Sequence, residues 1–208
     1  MGIYAEKPGK DFQIVEPGTY VARCIGMIEI GTIVVNFGDG DKRVHKAKII
    51  WELPTEKAVF DEEKGEQPFI ISKEYNLSMH TKSALRAMLE SWRSKPFTEE
   101  EAKRFDITKV LGKECMITVV HEPGKADPSV FYAKVASVTQ LMKGAICPPQ
   151  INPTKLLCYE NFDWGIFATL TEKDKSKLEQ SVEFQKLQKP ADFQGANPPN
   201  ALIDDIPF

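Results

Sequence analysis

Thr81-Lys82-Ser83-Ala84-Leu85-Arg86-Ala87-Met88-Leu89-Glu90-Ser91-Trp92 decides how the rest of the chain is read. Leu85, Met88, Leu89 and Trp92 recur at i, i+3, i+4 and i+7, which predicts an amphipathic helix with a Ser/Thr cap at its start. On its N-terminal side the period is two. Thr19 to Ile25 alternates, Gly26 allows a bend or bulge, and Met27 to Ile30 continues the strand. Phe37-Gly38-Asp39-Gly40-Asp41 is a turn cluster. From Val44 to Leu53 a second strand places Ala47, Ile49, Trp51 and Leu53 on one face and Lys46, Lys48, Ile50 and Glu52 on the other. The acidic run Asp61 to Gly65 is a solvated hairpin tip, and Phe69 to Ser78 is a third strand. Beyond the helix, Thr98-Glu99-Glu100-Glu101 opens a second, short helix with acids in its first turn. Strands then return at Glu114 to His121 and Val130 to Val138, separated by a turn at His121-Glu122-Pro123-Gly124.

Three strands, a helical excursion and two strands give the element order of an OB-fold: a mainly β, five-stranded barrel with a helix between strands three and four that plugs one end. A β-sandwich would need more strands and no helix in mid-chain. The OB-fold is expected to occupy residues 1–145, with residues 1–17 as a loose lead-in. Residues 146–190 read as an extended connector, rich in proline at Pro148, Pro149 and Pro153, followed by a C-terminal helix within Thr171 to Leu187. Residues 191–208 read as a flexible acidic tail, because so few apolar residues cannot offset the entropy of ordering.

Composition narrows the function classes. With 208 residues, 42% hydrophobic and 27% charged, the chain has the make-up of a soluble globular protein and can bury a real core. No apolar run approaches the ~18 residues of a membrane span, and the first residues show no secretory h-region. Cys24, Cys115, Cys147 and Cys158 form no C-x-x-C pair and read as reduced cytoplasmic thiols. Lys plus Arg number 27 and Asp plus Glu 30; Asp192, Asp204 and Asp205 of the tail account for the net −3. The body is therefore neutral, and any basic surface must be a local stripe. His45, His80 and His121 have no neighbours at metal-ligand spacing, and Gly112-Lys113 lacks the rest of a phosphate-binding loop. Nothing supports an active site, a metal or another cofactor, so an enzyme is not expected.

The chain ends Asp204-Asp205-Ile206-Pro207-Phe208, an apolar hook preceded by two acids. Such a segment has the physics of a peptide ligand. Phe208 can fill a pocket, its α-carboxylate can meet Arg or Lys, Pro207 limits the entropy lost, and Asp204 and Asp205 steer toward a basic rim. It resembles the C-terminal tip of bacterial single-stranded DNA-binding proteins. Residues 17–145 resemble phage-encoded members of that class in the runs Pro17-Gly18-Thr19-Tyr20, Trp51-Glu52-Leu53-Pro54, Ser91 to Thr98 and Leu111-Gly112-Lys113. The resemblance implies sequence-tolerant binding of single strands during phage DNA replication or recombination in the bacterial cytoplasm. It also implies recruitment of replication and repair enzymes by the tip, and no cofactor. A homo-oligomer is left open. The alternative is an interaction or decoy protein that presents the tip to host enzymes without binding DNA itself.

Binding of this kind needs cations along the phosphates and aromatic faces for bases. Lys46 and Lys48 lead the candidates because they alternate with Ala47, Ile49 and Trp51 and should point outward on strand two. Arg23 is similarly placed on strand one, and Lys73, Arg93, Lys95 and Lys134 complete the cationic set. Tyr75 shares a face with Lys73 and stands evenly between stacking a base and closing the barrel. Phe97 follows Arg93-Ser94-Lys95-Pro96 in a loop, where stacking and docking both remain open. Tyr132 shares its strand parity with Lys134 and is the preferred stacking residue there. Trp51 and Trp92 fall in phase with apolar neighbours and read as core.

Overall fold

A computed structural model describes residues 13–188 apart from 37, 39 and 126. The tail 191–208, with its Asp204-Asp205-Ile206-Pro207-Phe208 end, therefore lies outside the described residues. The long first strand, β1 (Gly18–Asn36), is followed by β2 (Asp41–Asp61) and β3 (Gly65–Asn76). Helices α1 (Ala84–Arg93) and α2 (Glu99–Lys103) and a 3-10 turn at Ile107–Val110 separate these from β4 (Glu114–Pro123) and β5 (Phe131–Thr139). The strands run in the order β3-β2-β1-β4-β5, each antiparallel to its neighbour. This is a nearly closed five-stranded barrel of OB type with the helical insertion where the sequence places it.

Closure depends on β1 serving both halves of the sheet. Gly18 to Arg23 pair with β4, while Arg23 to Asn36 pair with β2. Register shifts between Cys24 and Gly26 and between Glu29 and Gly31 bend the strand, as bulges do. At the seam between β3 and β5 no ladder is present among the described residues; instead the Lys73 ammonium donates 2.7 Å to the Val135 carbonyl. The inward face carries Ala22, Cys24, Ile49, Trp51, Leu53, Ile117 and Val119, all buried. Helix α1 covers one end of this core. The Ser83 hydroxyl caps it by accepting from the Arg86 N–H, its stripe of Leu85, Met88, Leu89 and Trp92 is buried, and Trp92 Nε1 donates 2.8 Å to the Glu114 carbonyl. Thr98 and Glu101 form a reciprocal capping box at the start of α2.

The C-terminal segment packs on the outside of the barrel. A short strand, β6 (Lys155–Leu157), runs parallel to β1 at Gly26 to Ile28, on the stretch β4 no longer covers. It leads into α3 (Trp164–Ala168) and α4 (Glu172–Glu179). The helix anticipated within Thr171 to Leu187 is thus shorter, and a 3-10 turn at Phe184–Lys186 follows it. Leu157, Phe167, Leu170 and Leu178 form a second core over Ile28, with Phe162, Trp164 and Phe184 packed against it. Polar latches frame this core. Glu52 accepts from the Ile151 and Asn152 backbone N–H groups and from Asn152 Nδ2. Glu183 accepts from the Thr32 N–H and hydroxyl, beside Gly31, whose φ of +92° and close approach to Ser181 exclude a side chain. No helix among the described residues is long and apolar enough to cross a membrane.

Lys48 is the most deeply enclosed cation of this interface. Its parity points it away from the barrel axis, yet it is 1% exposed and pairs with Asp174 of α4 at 2.8 Å. Removing one partner of a buried pair strands the other charge, a loss of about 3–5 kcal/mol. Asp174→Ala should therefore lower stability by about that amount in urea titrations. The double variant Lys48→Met with Asp174→Leu should recover most of the loss. A single variant as stable as the wild type would remove this pair from its structural role.

Candidate nucleic-acid interface

The sequence-predicted cations and aromatics separate into three groups. The first has structural work to do. Arg23 donates to the Gly112 carbonyl at 2.8 Å and to the carbonyls of Cys147 and Pro148, and it lies 3.5 Å from Glu114. It ties the connector to the barrel instead of standing out on strand one. Lys48 is enclosed beneath α4, so its expected place on an open face is corrected by the packing of a segment far away in sequence. Lys46, two residues earlier, is half-buried opposite Gly31 and Asn76.

A second group forms the α1–α2 corner. Phe97 is 5% exposed and meets Phe105 edge-on with ring centroids 4.8 Å apart, which makes it a core residue and closes the option of an exposed stacking ring. The Arg93 guanidinium lies 4.2 Å over the Phe97 ring and 3.3 Å from Glu101. Lys95 is exposed, 3.8 Å from the same carboxylate. Backbone and guanidinium hydrogen bonds hold Glu101 below the usual carboxylate range, first from Thr98 and then from Arg93. Arg93 also borders an apolar cleft of about 490 Å³ with Trp92, Phe105, Leu141 and Met142.

The third group meets at the β3–β5 seam. Tyr75 is 5% exposed and lies on the inward face of β3, and burial pushes its phenol pKa up; it closes the barrel. Lys73 sits 5.6 Å from that ring and reaches across to Val135, the residue after Lys134. Burial lowers its pKa, and Glu122 partly offsets the shift. On the outward face of β5, the Lys134 ammonium stands 5.8 Å from the Tyr132 ring. That ring lies over Gly124, where a Cβ would come within 2.6 Å of Cε2, so the β4–β5 turn is shaped to seat it. Phe131 beside it is 52% exposed. A cleft of about 500 Å³ runs from Lys73 and Tyr75 past His80 to Lys82. Of the ten candidates, Lys73, Tyr75, Tyr132 and Lys134 are the ones brought to this seam.

Sequence reasoning missed Lys173 and Lys177, which α4 carries to the same region. Lys177 pairs with Glu74 of β3, and Lys173 feels Lys177, Lys134 and Lys48 as like charges and Glu74 as an opposite one. Glu172 to Lys175 alternates in sign and looks like any solvated helix, so no local signal marks the segment. The three histidines are each hydrogen-bonded. His45 lies 2.8 Å from Glu29, His121 Nε2 donates to the Val15 carbonyl, and the Lys82 N–H donates to His80 Nδ1. Cys24 is buried, which pushes its thiol pKa up to about 12. Among the described residues no group of three or more His, Cys, Asp or Glu could hold a metal ion.

The fold is an OB-type barrel whose β3–β5 seam brings together Lys73, Tyr75, Tyr132 and Lys134. In comparisons with known proteins, no family model, curated sequence or solved structure matched the chain.

The α1–α2 corner yields a direct test. Phe97→Ala should destabilise the protein by about 3–5 kcal/mol, as deletion of a buried ring does. Lys95→Ala should change stability by no more than about 0.5 kcal/mol. Equal, small effects in thermal melts would put Phe97 back on the surface.

Proposed function

We propose that the protein binds single-stranded DNA without sequence preference, acts in phage DNA replication or recombination within the bacterial cytoplasm, and recruits replication and repair enzymes through Asp204–Phe208. The observation that carries the reading is the union of an OB-type barrel with the Asp-Asp-Ile-Pro-Phe sequence. Neither half is specific alone, since OB barrels serve many ligands and short terminal sequences recur by chance. Further support comes from the seam. Tyr132 and Lys134 put an aromatic face and a cation side by side on one edge, the pair of features that sequence-tolerant strand binding requires. The chain's neutral body is compatible with this, because phosphate recognition needs a local stripe and not a high overall charge.

Binding should favor oligo-dT over duplex of the same length, with log affinity falling by about 0.7 per phosphate contact for each tenfold rise in salt. Failure to bind oligo-dT at low ionic strength would remove the DNA-binding reading and leave the decoy. Tyr132→Ala should weaken oligo-dT binding by about 1–3 kcal/mol, the value of one stacked base, measured at a temperature where the variant is fully folded.

The tip is tested separately. Phe208→Ala, or one residue added after Phe208, should leave strand affinity intact and abolish capture of replication and repair enzymes from bacterial extract. Unchanged capture by both variants would overturn the recruiting role.

A further inference from the structure

The cleft of about 500 Å³ that begins at Lys73 and Tyr75 ends against the turn joining β3 to α1, where Asn76, Ser78, His80, Lys82 and Ser83 line it. The bonds made inside that turn decide what its side chains still offer. The Lys82 N–H donates to His80 Nδ1 at 3.2 Å, so the ring proton of neutral His80 sits on Nε2 and that N–H is a donor. The His80 N–H in turn donates to the Ser78 hydroxyl, which keeps its own proton to give. The Ser83 hydroxyl is fully occupied, donating to the Ser78 carbonyl and accepting from the Arg86 N–H. Lys82 and His80 are exposed, and neither the Lys82 ammonium nor His80 Nε2 has an acceptor among the described residues. Glu74 is the one carboxylate lining the cleft, and Lys177 answers it.

An exposed lysine on a turn is ordinarily just a solvated charge. Here the turn is held from several sides. The Leu77 N–H donates to the His45 carbonyl at 2.8 Å and the Ser83 N–H to the His80 carbonyl at 2.8 Å. The buried Arg86 guanidinium donates to the Met79 carbonyl at 3.2 Å. Donors carried on such a turn lose little further freedom when a ligand arrives. Lys46 of β2 stands directly opposite Asn76 in the ladder, which puts another cation one strand away from the cleft wall. The cleft's volume lies in the range of about 300–1,000 Å³ that suits small molecules and cofactors. An ammonium, an imidazole N–H and a hydroxyl converging without a spare carboxylate suit an oxyanion, and a phosphate accepts several such bonds at once.

We propose that a phosphate of the bound strand is held in this cleft by the Lys82 ammonium and His80 Nε2, with the Ser78 hydroxyl beside them, so that the strand runs from the β3–β5 seam to the start of α1. This rests on the DNA-binding reading above and deepens it, because it assigns a phosphate contact to a turn that strand parity does not single out.

The test uses the full chain with Lys82→Gln, Lys82→Arg, His80→Phe and, as a surface control, Lys103→Glu on α2. Each is titrated with oligo-dT from about 50 mM to 1 M salt after its melting temperature is checked. Lys82→Gln should weaken binding about eightfold at 50 mM, meet the wild type near 1 M and flatten the slope by about 0.7, the share of one phosphate contact. Lys82→Arg and Lys103→Glu should follow the wild type. His80→Phe should weaken binding about two- to tenfold at every salt concentration with the slope unchanged, since a neutral donor displaces no counterion. If the wild type binds with the expected slope and both Lys82→Gln and His80→Phe match it, the strand does not use the cleft, and this inference is overturned while the DNA-binding reading stands. Unchanged oligo-dT binding together with inorganic phosphate binding that Lys82→Gln abolishes, read by phosphorus NMR, would give the cleft to a free phosphate and overturn it equally. If the wild type itself does not bind oligo-dT, both readings fall.

Discussion

A single strand, β1, must pair along its length while curling tightly enough to bring the far strands of the sheet together. A regular extended strand cannot do this, since a fixed pleat and a modest twist give an open sheet. The shifts at Gly26 and Gly31 provide the curl, and they also divide the strand's edges among β2, β4 and β6. The core inside the barrel and the core outside it meet back to back through this strand. Cys24 and Met27 face one, and Ile28 faces the other. The C-terminal segment is therefore built onto the barrel wall at its most constrained point, by a parallel strand, an apolar cluster and several carboxylate latches.

Much of the barrel is legible in the chain because its signals are local. The alternation of Ala47, Ile49, Trp51 and Leu53 against Lys46, Lys48, Ile50 and Glu52 gives the faces of β2 directly, and all four residues of the first set are buried. The spacing of Leu85, Met88, Leu89 and Trp92 likewise gives the buried stripe of α1. Parity says which way a side chain points but not what lies in that direction. Lys48 points outward and meets Asp174, whose position 126 residues later carries no mark in the sequence. Phe97 looked exposed because its flanking residues are polar and charged; Phe105, across α2, makes it core. Arg23 had the right alternation for an open surface, but the carbonyls of a distant connector absorb its donors. For Lys48 and Arg23 the missing information was a long-range contact, and for Phe97 the turn of the chain through α2; residue type and period encode neither.

The region gathered around β5 and α4 follows from the same logic. Lys73, Lys134 and Tyr132 could be proposed from strand parity, whereas Lys173 and Lys177 become relevant only once α4 is placed. Acid–base pairs occupy the α4–barrel contact and the α1–α2 corner.

The strut from Lys73 to Val135 has a mechanical consequence. A wall completed by a rotatable ammonium can part along that line without severing any run of backbone hydrogen bonds, because the bond it loses is one that water replaces readily. Among the described residues the barrel is joined across that line by this hydrogen bond and by the packing of Ile71 and Tyr75 with Val135 and Val138. The other four strand junctions are antiparallel ladders, so any local opening of the wall would start on this side.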